Sequence, residues 1–147
     1  MKTKLTKLLS VVLAILMLGA CILALASCKE EVDPDTLWAE ATHKEDKTLG
    51  EGSKTFTLTV KAGDRSVVFT INTDETVLGE ALQKLGLVEG EEGAYGLYVK
   101  KVNGILADYN TDGTYWAIYE NGEYAMTGID GIVIASGATY TLERAKG

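Results

Sequence analysis

The amino-acid sequence predicts an α+β fold: a small, mainly antiparallel sheet with one short helix packed on it. Three observations carry that prediction. Apolar and polar residues alternate in two successive runs from Thr55, the spacing switches to that of a helix over residues 75–85, and short alternating runs separated by Gly and Asn turns fill the remainder.

The chain opens with a segment that stands outside this domain. A basic start (Lys2, Lys4, Lys7), an apolar run from Leu8 to Ala26 and a small residue, Ser27, precede Cys28, which is the order of an export signal. Roughly 20 helical residues span the hydrocarbon core of a bilayer. An uncleaved membrane anchor and a plain cleaved signal are therefore the alternatives to weigh. Leu25-Ala26-Ser27-Cys28 resembles the lipobox of bacterial lipoproteins, in which cleavage precedes a cysteine alkylated with diacylglycerol, and the chain turns polar at once with Lys29, Glu30 and Glu31. Leu18-Gly19-Ala20-Cys21 fits more loosely, because further apolar residues follow Cys21. The expectation is a signal peptide over 1–27, lipid on Cys28, and a place on the extracellular face of the bacterial cell membrane.

No cysteine follows Cys28, so the rest of the chain has neither a disulfide framework nor a thiol for catalysis or metal binding. From Lys29 onward 21 acidic residues face 11 basic ones, a formal charge near −10. That balance argues against nucleic acid as a partner and leaves membrane attachment to the acyl chains themselves. Residues 28–53 read as an acidic tether holding the only proline, Pro34, and the only histidine, His43. Leu37 and Trp38 are unusual in a spacer; they either pack on the domain edge or stand exposed in a flexible arm.

The domain is expected over 54–147. Phe56, Leu58 and Val60 point to one side and Thr55, Thr57, Thr59 and Lys61 to the other, the pattern of a half-buried strand. Ala62-Gly63-Asp64-Arg65 supplies a turn, and Val67, Phe69 and Ile71 continue the alternation into a hairpin. Val77, Leu78, Ala81, Leu82 and Leu85 then recur at helical spacing, with Asp74 and Glu75 at the expected N-terminus and Gly86 at the expected C-terminal cap. Glu89-Gly90-Glu91-Glu92-Gly93 reads as an acidic loop. Gly96–Val102 reads as a strand, followed by Asn103-Gly104, a loop through Asp112-Gly113, and the aromatic strand Thr114–Glu120. Asn121-Gly122 has the composition of a type I′ turn, whose central residues both take positive φ. Glu123–Ala125 returns, and Ile132–Ala135 with Thr139–Arg144 is expected to form a last pair around Ser136-Gly137.

Catalysis finds little support in these residues. The sole histidine precedes the domain, which removes a Ser-His-Asp arrangement, and no carboxylate spacing separates an acid and base from solvated charge. The expectation is a protein that is not an enzyme. Asp108, Asn110, Asp112 and Gly113 match the first half of an EF-hand calcium loop, but position twelve is Tyr119 and the flanks read as strands. A polar connection rich in turn formers accounts for the same residues. Alternation places Tyr115, Ala117 and Tyr119 on one face and Trp116, Ile118 and Glu120 on the other. Trp116 and Ile118 then fill the core, and the tyrosines either line a sheet face or offer rigid contact area to a ligand.

The order of motifs, Tyr95-Gly96-Leu97-Tyr98-Val99-Lys100-Lys101-Val102-Asn103-Gly104, then Thr114-Tyr115-Trp116-Ala117, then Gly128-Ile129-Asp130 and a closing strand after Gly137, resembles the C-terminal β-domain of transcobalamin and intrinsic factor. The resemblance covers about residues 54–145 and implies a hairpin, a helix and strands in that order. In the vitamin-binding members a corrinoid lies between this domain and a larger helical one. Carried over, the resemblance points to Tyr95, Gly96, Leu97, Tyr115 and Trp116 as ligand-binding residues. The helical partner is absent, and the polar residue that follows the Tyr-Trp pair in those relatives is Ala117 here. Two functions follow: binding of a small amphipathic ligand such as a corrinoid at an aromatic sheet edge, alone or with a partner protein, or a protein-interaction or adhesion module on the cell surface. A calcium-stabilised structural module is a third.

Overall fold

The computed structural model describes residues 33–147; Cys28 and the whole signal segment lie outside the described residues. A helical turn, α1 (Pro34–Ala39), begins at Asp33, whose carboxylate accepts from the Asp35 amide, with Pro34 at the first position where its missing N–H costs nothing. Then follow β1 (Lys47–Leu49), β2 (Lys54–Ala62), β3 (Arg65–Thr73), α2 (Leu78–Lys84), β4 (Val88–Gly93), β5 (Gly96–Val102), β6 (Ile105–Leu106), α3 (Tyr109–Asp112), β7 (Thr114–Glu120), β8 (Glu123–Tyr124), a 3₁₀ turn (Ile129–Gly131) and β9 (Thr139–Lys146).

A six-stranded sheet runs β1-β3-β2-β9-β7-β8, and a three-stranded one runs β4-β5-β6. Most pairings are antiparallel, as the alternation predicts, but β1 lies parallel to β3 and β9 parallel to β2. Every second residue of the large sheet turns inward: Phe56, Leu58 and Val60 from β2, Val67, Phe69 and Ile71 from β3, and Tyr140 and Leu142 from β9 are buried. Helix α2 covers this face with Leu78, Ala81 and Leu82, and the small sheet adds Val88, Val99, Val102 and Ile105. The helix starts at Leu78, three residues later than Glu75, because Thr76 and Val77 are held extended by backbone pairing: the Ile134 N–H donates to the Thr76 carbonyl and Val77 bridges Val133. Gly86 takes φ +68 just past the C-cap, where its N–H and that of Leu87 close the last carbonyls.

The segment 33–49 is built into this fold. Trp38 is 1% exposed, donates its indole N–H to the Ala62 carbonyl at 2.9 Å, and lies under the Arg65 guanidinium, 5.1 Å from its ring centre. Asn103 fastens the same segment at a second point: fully buried at φ +51, its side-chain amide bonds both the N–H and the C=O of His43.

Two readings of the sequence are corrected. Glu89–Gly93 is a strand and not a loop: with Val88 it forms β4, paired with β5 from Val88 opposite Val102 to Gly93 opposite Gly96. It is an outer strand that buries only Val88, so it needs no apolar alternation, and Glu89 and Glu91 find Lys101 and Lys100 across the ladder at 3.7 and 3.2 Å. Ile132–Ala135 does not pair with β9. It runs beside the entry to α2, where Val133 bridges Val77 and the Leu78 N–H donates to the Ile132 carbonyl. Strand β9 instead inserts between β2 and β7, where Tyr140 and Leu142 are fully enclosed, a larger apolar gain than an edge partner provides. The stretch read as a loop before Gly113 also contains β6 and a single helical turn capped by Asp108, with Gly113 at φ +72 ending it.

Among the described residues no helix is long and apolar enough to cross a membrane.

Candidate functional site

The β4–β5 hairpin turns through Ala94 and Tyr95, which leaves Tyr95 at its tip, 98% exposed. Just behind the tip, the Leu97 N–H donates to Asp130 Oδ2 at 2.8 Å. Asp130 sits on the 3₁₀ turn, pinned there by the fully buried Ile129. Its carboxylate occupies space that only glycines leave open: a Cβ on Gly79 would stand 1.9 Å from Oδ1, and one on Gly96, which has φ +97, 2.8 Å from Oδ2. The start of α2, the start of β5 and the 3₁₀ turn are thereby joined through one side chain. Gly128 borders the same strand end, and Met126, two residues earlier, is 92% exposed. This end of the small sheet thus carries a large, fully accessible side chain, Tyr95, two residues from a strand start held by Asp130.

The residues singled out from the sequence divide. Tyr95, Gly96 and Leu97 meet at this hairpin end, with Leu97 buried beneath it. Trp116 is in the core, 6% exposed, and its indole N–H donates to the Lys100 carbonyl at 3.2 Å, so it supports β5 from below. Tyr115, its neighbour in β7, points to the opposite, open face of the large sheet. Tyr119 and Tyr124 stand on that face as well, packed edge to face with ring centres 5.7 Å apart. Asp130 and Met126 were not singled out as site residues. A lone acid in Gly-Ile-Asp-Gly among apolar neighbours is a signal for the first; the second carries none.

Asp108, Asn110 and Asp112 fall on α3. Asp108 caps that turn by accepting from the Asn110 amide at 3.0 Å. Asp112 accepts from the amide and hydroxyl of Thr114 and from Arg144 at 2.7 Å. Burial pushes its carboxyl up, but the Thr114 bonds and the Arg144 guanidinium outweigh that and hold it below its ordinary value. Its oxygens are spent on the protein. Among the described residues no three His, Cys, Asp or Glu side chains gather to hold a metal ion.

A family model described as a domain of unknown function (DUF4430) matches residues 74–143, from the approach to α2 into β9. A solved structure from Ruminococcus gnavus, named a "putative metal binding protein", is 35% identical, with the match covering 65% of this chain and 99% of that one at a TM-score of 0.61. The chain belongs to the DUF4430 family. Haptocorrin, solved in complex with Cbi, is 20% identical at a TM-score of 0.55 and shares the fold of this DUF4430 domain over 67% of the chain. The chain spans 26% of haptocorrin's length. A comparison with the curated proteins finds no match. The transcobalamin-like fold expected from the Gly-Leu, Tyr-Trp and Gly-Ile-Asp motifs is therefore found, as an α+β domain.

Proposed function

We propose that this DUF4430 domain is a non-catalytic, ligand-binding module, held on the outer face of the bacterial cell membrane by lipid on Cys28. Its ligand is a small amphipathic molecule of the corrinoid class, taken at the hairpin end. The observation that carries this reading is the β4–β5 tip, where Tyr95 is almost wholly exposed beside a backbone fixed by Asp130; Met126, two residues before Gly128, is exposed as well. Large apolar groups on a rigid support suit an extended, partly apolar ligand. The fold shared with haptocorrin supports the choice of ligand. The same exposed pair also fits a surface-protein partner with no small molecule between, which is the second reading.

Equilibrium titration of residues 33–147 with cobinamide and cobalamin, followed by visible absorbance, tests the proposal. Saturable binding that Tyr95→Ala and Met126→Ala weaken supports it, and no binding at millimolar ligand refutes capture by this domain alone. Recovery from surface extract of a stoichiometric protein with no chromophore favours the second reading. A Cys28→Ser variant is expected to leave the membrane fraction. Calcium binding through Asp108, Asn110 and Asp112 is less well supported, since Asp112 is already bonded to Arg144 and Thr114.

A further inference from the structure

The six-stranded sheet has a second face, and its composition is unusual for this chain. The pairing register aligns Thr48, Thr70, Thr57 and Thr139 in one row across β1, β3, β2 and β9. The adjacent row places Thr59, Thr141, Tyr119 and Tyr124 across β2, β9, β7 and β8. All eight are exposed or half-buried. Strand propensity explains a threonine on a solvent-facing strand position. It does not explain two unbroken rows without a charge in a protein of which 24% is charged. The charges nearest these rows are Lys61 and Glu143, which pair with each other at 3.3 Å, and Asp46, whose carboxylate accepts from the amide of Val68, the β3 residue opposite Thr59. An acidic protein therefore presents one face on which hydroxyls outnumber charges, with aromatic rings at one side.

We infer that this face binds an extended, uncharged polysaccharide. Three matches of chemistry support it. Hydroxyl rows both donate and accept, as sugar hydroxyls require. Neighbouring strands lie about 4.8 Å apart, close to the advance per ring of an extended β-linked glycan, so successive rings meet successive threonines. The Tyr119–Tyr124 pair, fixed edge to face, offers a ring surface for the apolar side of a sugar. Charge selects the ligand: the acidic domain, with Asp46 at the edge of this face, repels an anionic chain, whereas an uncharged one meets no opposing field. This site lies on β-strands of the large sheet, away from the β4–β5 tip, and stands or falls independently of the corrinoid reading.

The test uses residues 33–147, which form one compact unit, titrated calorimetrically with cellohexaose and, in parallel, with a heparin hexasaccharide. Saturable binding of cellohexaose alone is expected. Tyr119→Ala should weaken it about tenfold, in line with loss of one aromatic contact, and Thr57→Val and Thr141→Val about threefold each, in line with loss of a hydroxyl hydrogen bond. Circular dichroism must show each variant folded, and Leu106→Ala, an exposed apolar position off this face, should bind as the parent does. The inference is overturned if cellohexaose does not bind at millimolar concentration, if the face variants leave binding unchanged, or if heparin binds equally well. It is also overturned if the unit dimerises through this face, with cellohexaose unable to compete and the same substitutions releasing monomer.

Discussion

Replacing Gly79 with alanine sets two effects against each other, and the structure decides between them. In an ordinary helix interior alanine is better than glycine by about 0.8–1.0 kcal/mol. Here the added Cβ would lie 1.9 Å from Asp130 Oδ1 and 3.1 Å from its Cγ, so the carboxylate must swing away. Oδ2 then leaves the Leu97 N–H it holds at 2.8 Å. A hydrogen bond to a charged group contributes roughly 1.5–3 kcal/mol, which exceeds the helix gain. The net expectation for Gly79→Ala is a destabilisation of about 0.5–2 kcal/mol, or a fall in Tm of very roughly 2–8 °C for a domain of this size. Urea unfolding of residues 33–147, with the Leu97 amide followed by hydrogen exchange, measures both parts. In an Asp130→Ala background the clash is absent, so Gly79→Ala should there be stabilising; the two changes are coupled and their effects should not add. If Gly79→Ala stabilises the parent, or if its effect is the same with and without Asp130, the reasoning that one carboxylate joins α2 to β5 is wrong.

Trp38→Ala should cost about 3–5 kcal/mol from lost packing alone, with the Ala62 carbonyl left without its indole partner; a chemical denaturation curve unchanged from the parent would show that segment 33–49 contributes no stability. Acid should weaken the domain through Asp112, whose folded-state pKa lies below its ordinary 3.8. The stability this contributes is present above that value and is lost as pH falls through it toward the folded one, so melting curves of the parent and Asp112→Asn should converge on acidification; parallel curves would remove Asp112 from the account. Added calcium should leave the Tm unchanged, and a rise that increases with calcium concentration would reinstate Asp108, Asn110 and Asp112 as ligands.

The elements that could be read from the sequence are those whose local pattern and tertiary role agree. β2, β3 and β7 alternate because one side faces the core, and Asn121-Gly122 takes positive φ at both positions as its composition demands. β4 could not be read, since a strand that buries one residue in six leaves no periodic trace; its ladder rests on backbone bonds and on Glu89 and Glu91 meeting lysines across the sheet. The pairing of β9 was illegible for a different reason. Its alternation says which residues face inward, but β2 and Ile132–Ala135 are equally apolar partners locally, and only the enclosed volume around Tyr140 and Leu142 separates them. At the candidate site, the hairpin strand was visible in Gly96-Leu97, whereas the role of Asp130 depends on gaps left by Gly79 and Gly96 from two other elements.

The position of β9 also bears on the order of events as the chain is synthesised from its N-terminal end. The last strand to emerge is the one that joins the β2–β3 hairpin to β7. Until it arrives, the two halves of the large sheet have no common ladder and their inward side chains have no enclosed interior. The large sheet is thus completed only when β9 takes its place between β2 and β7.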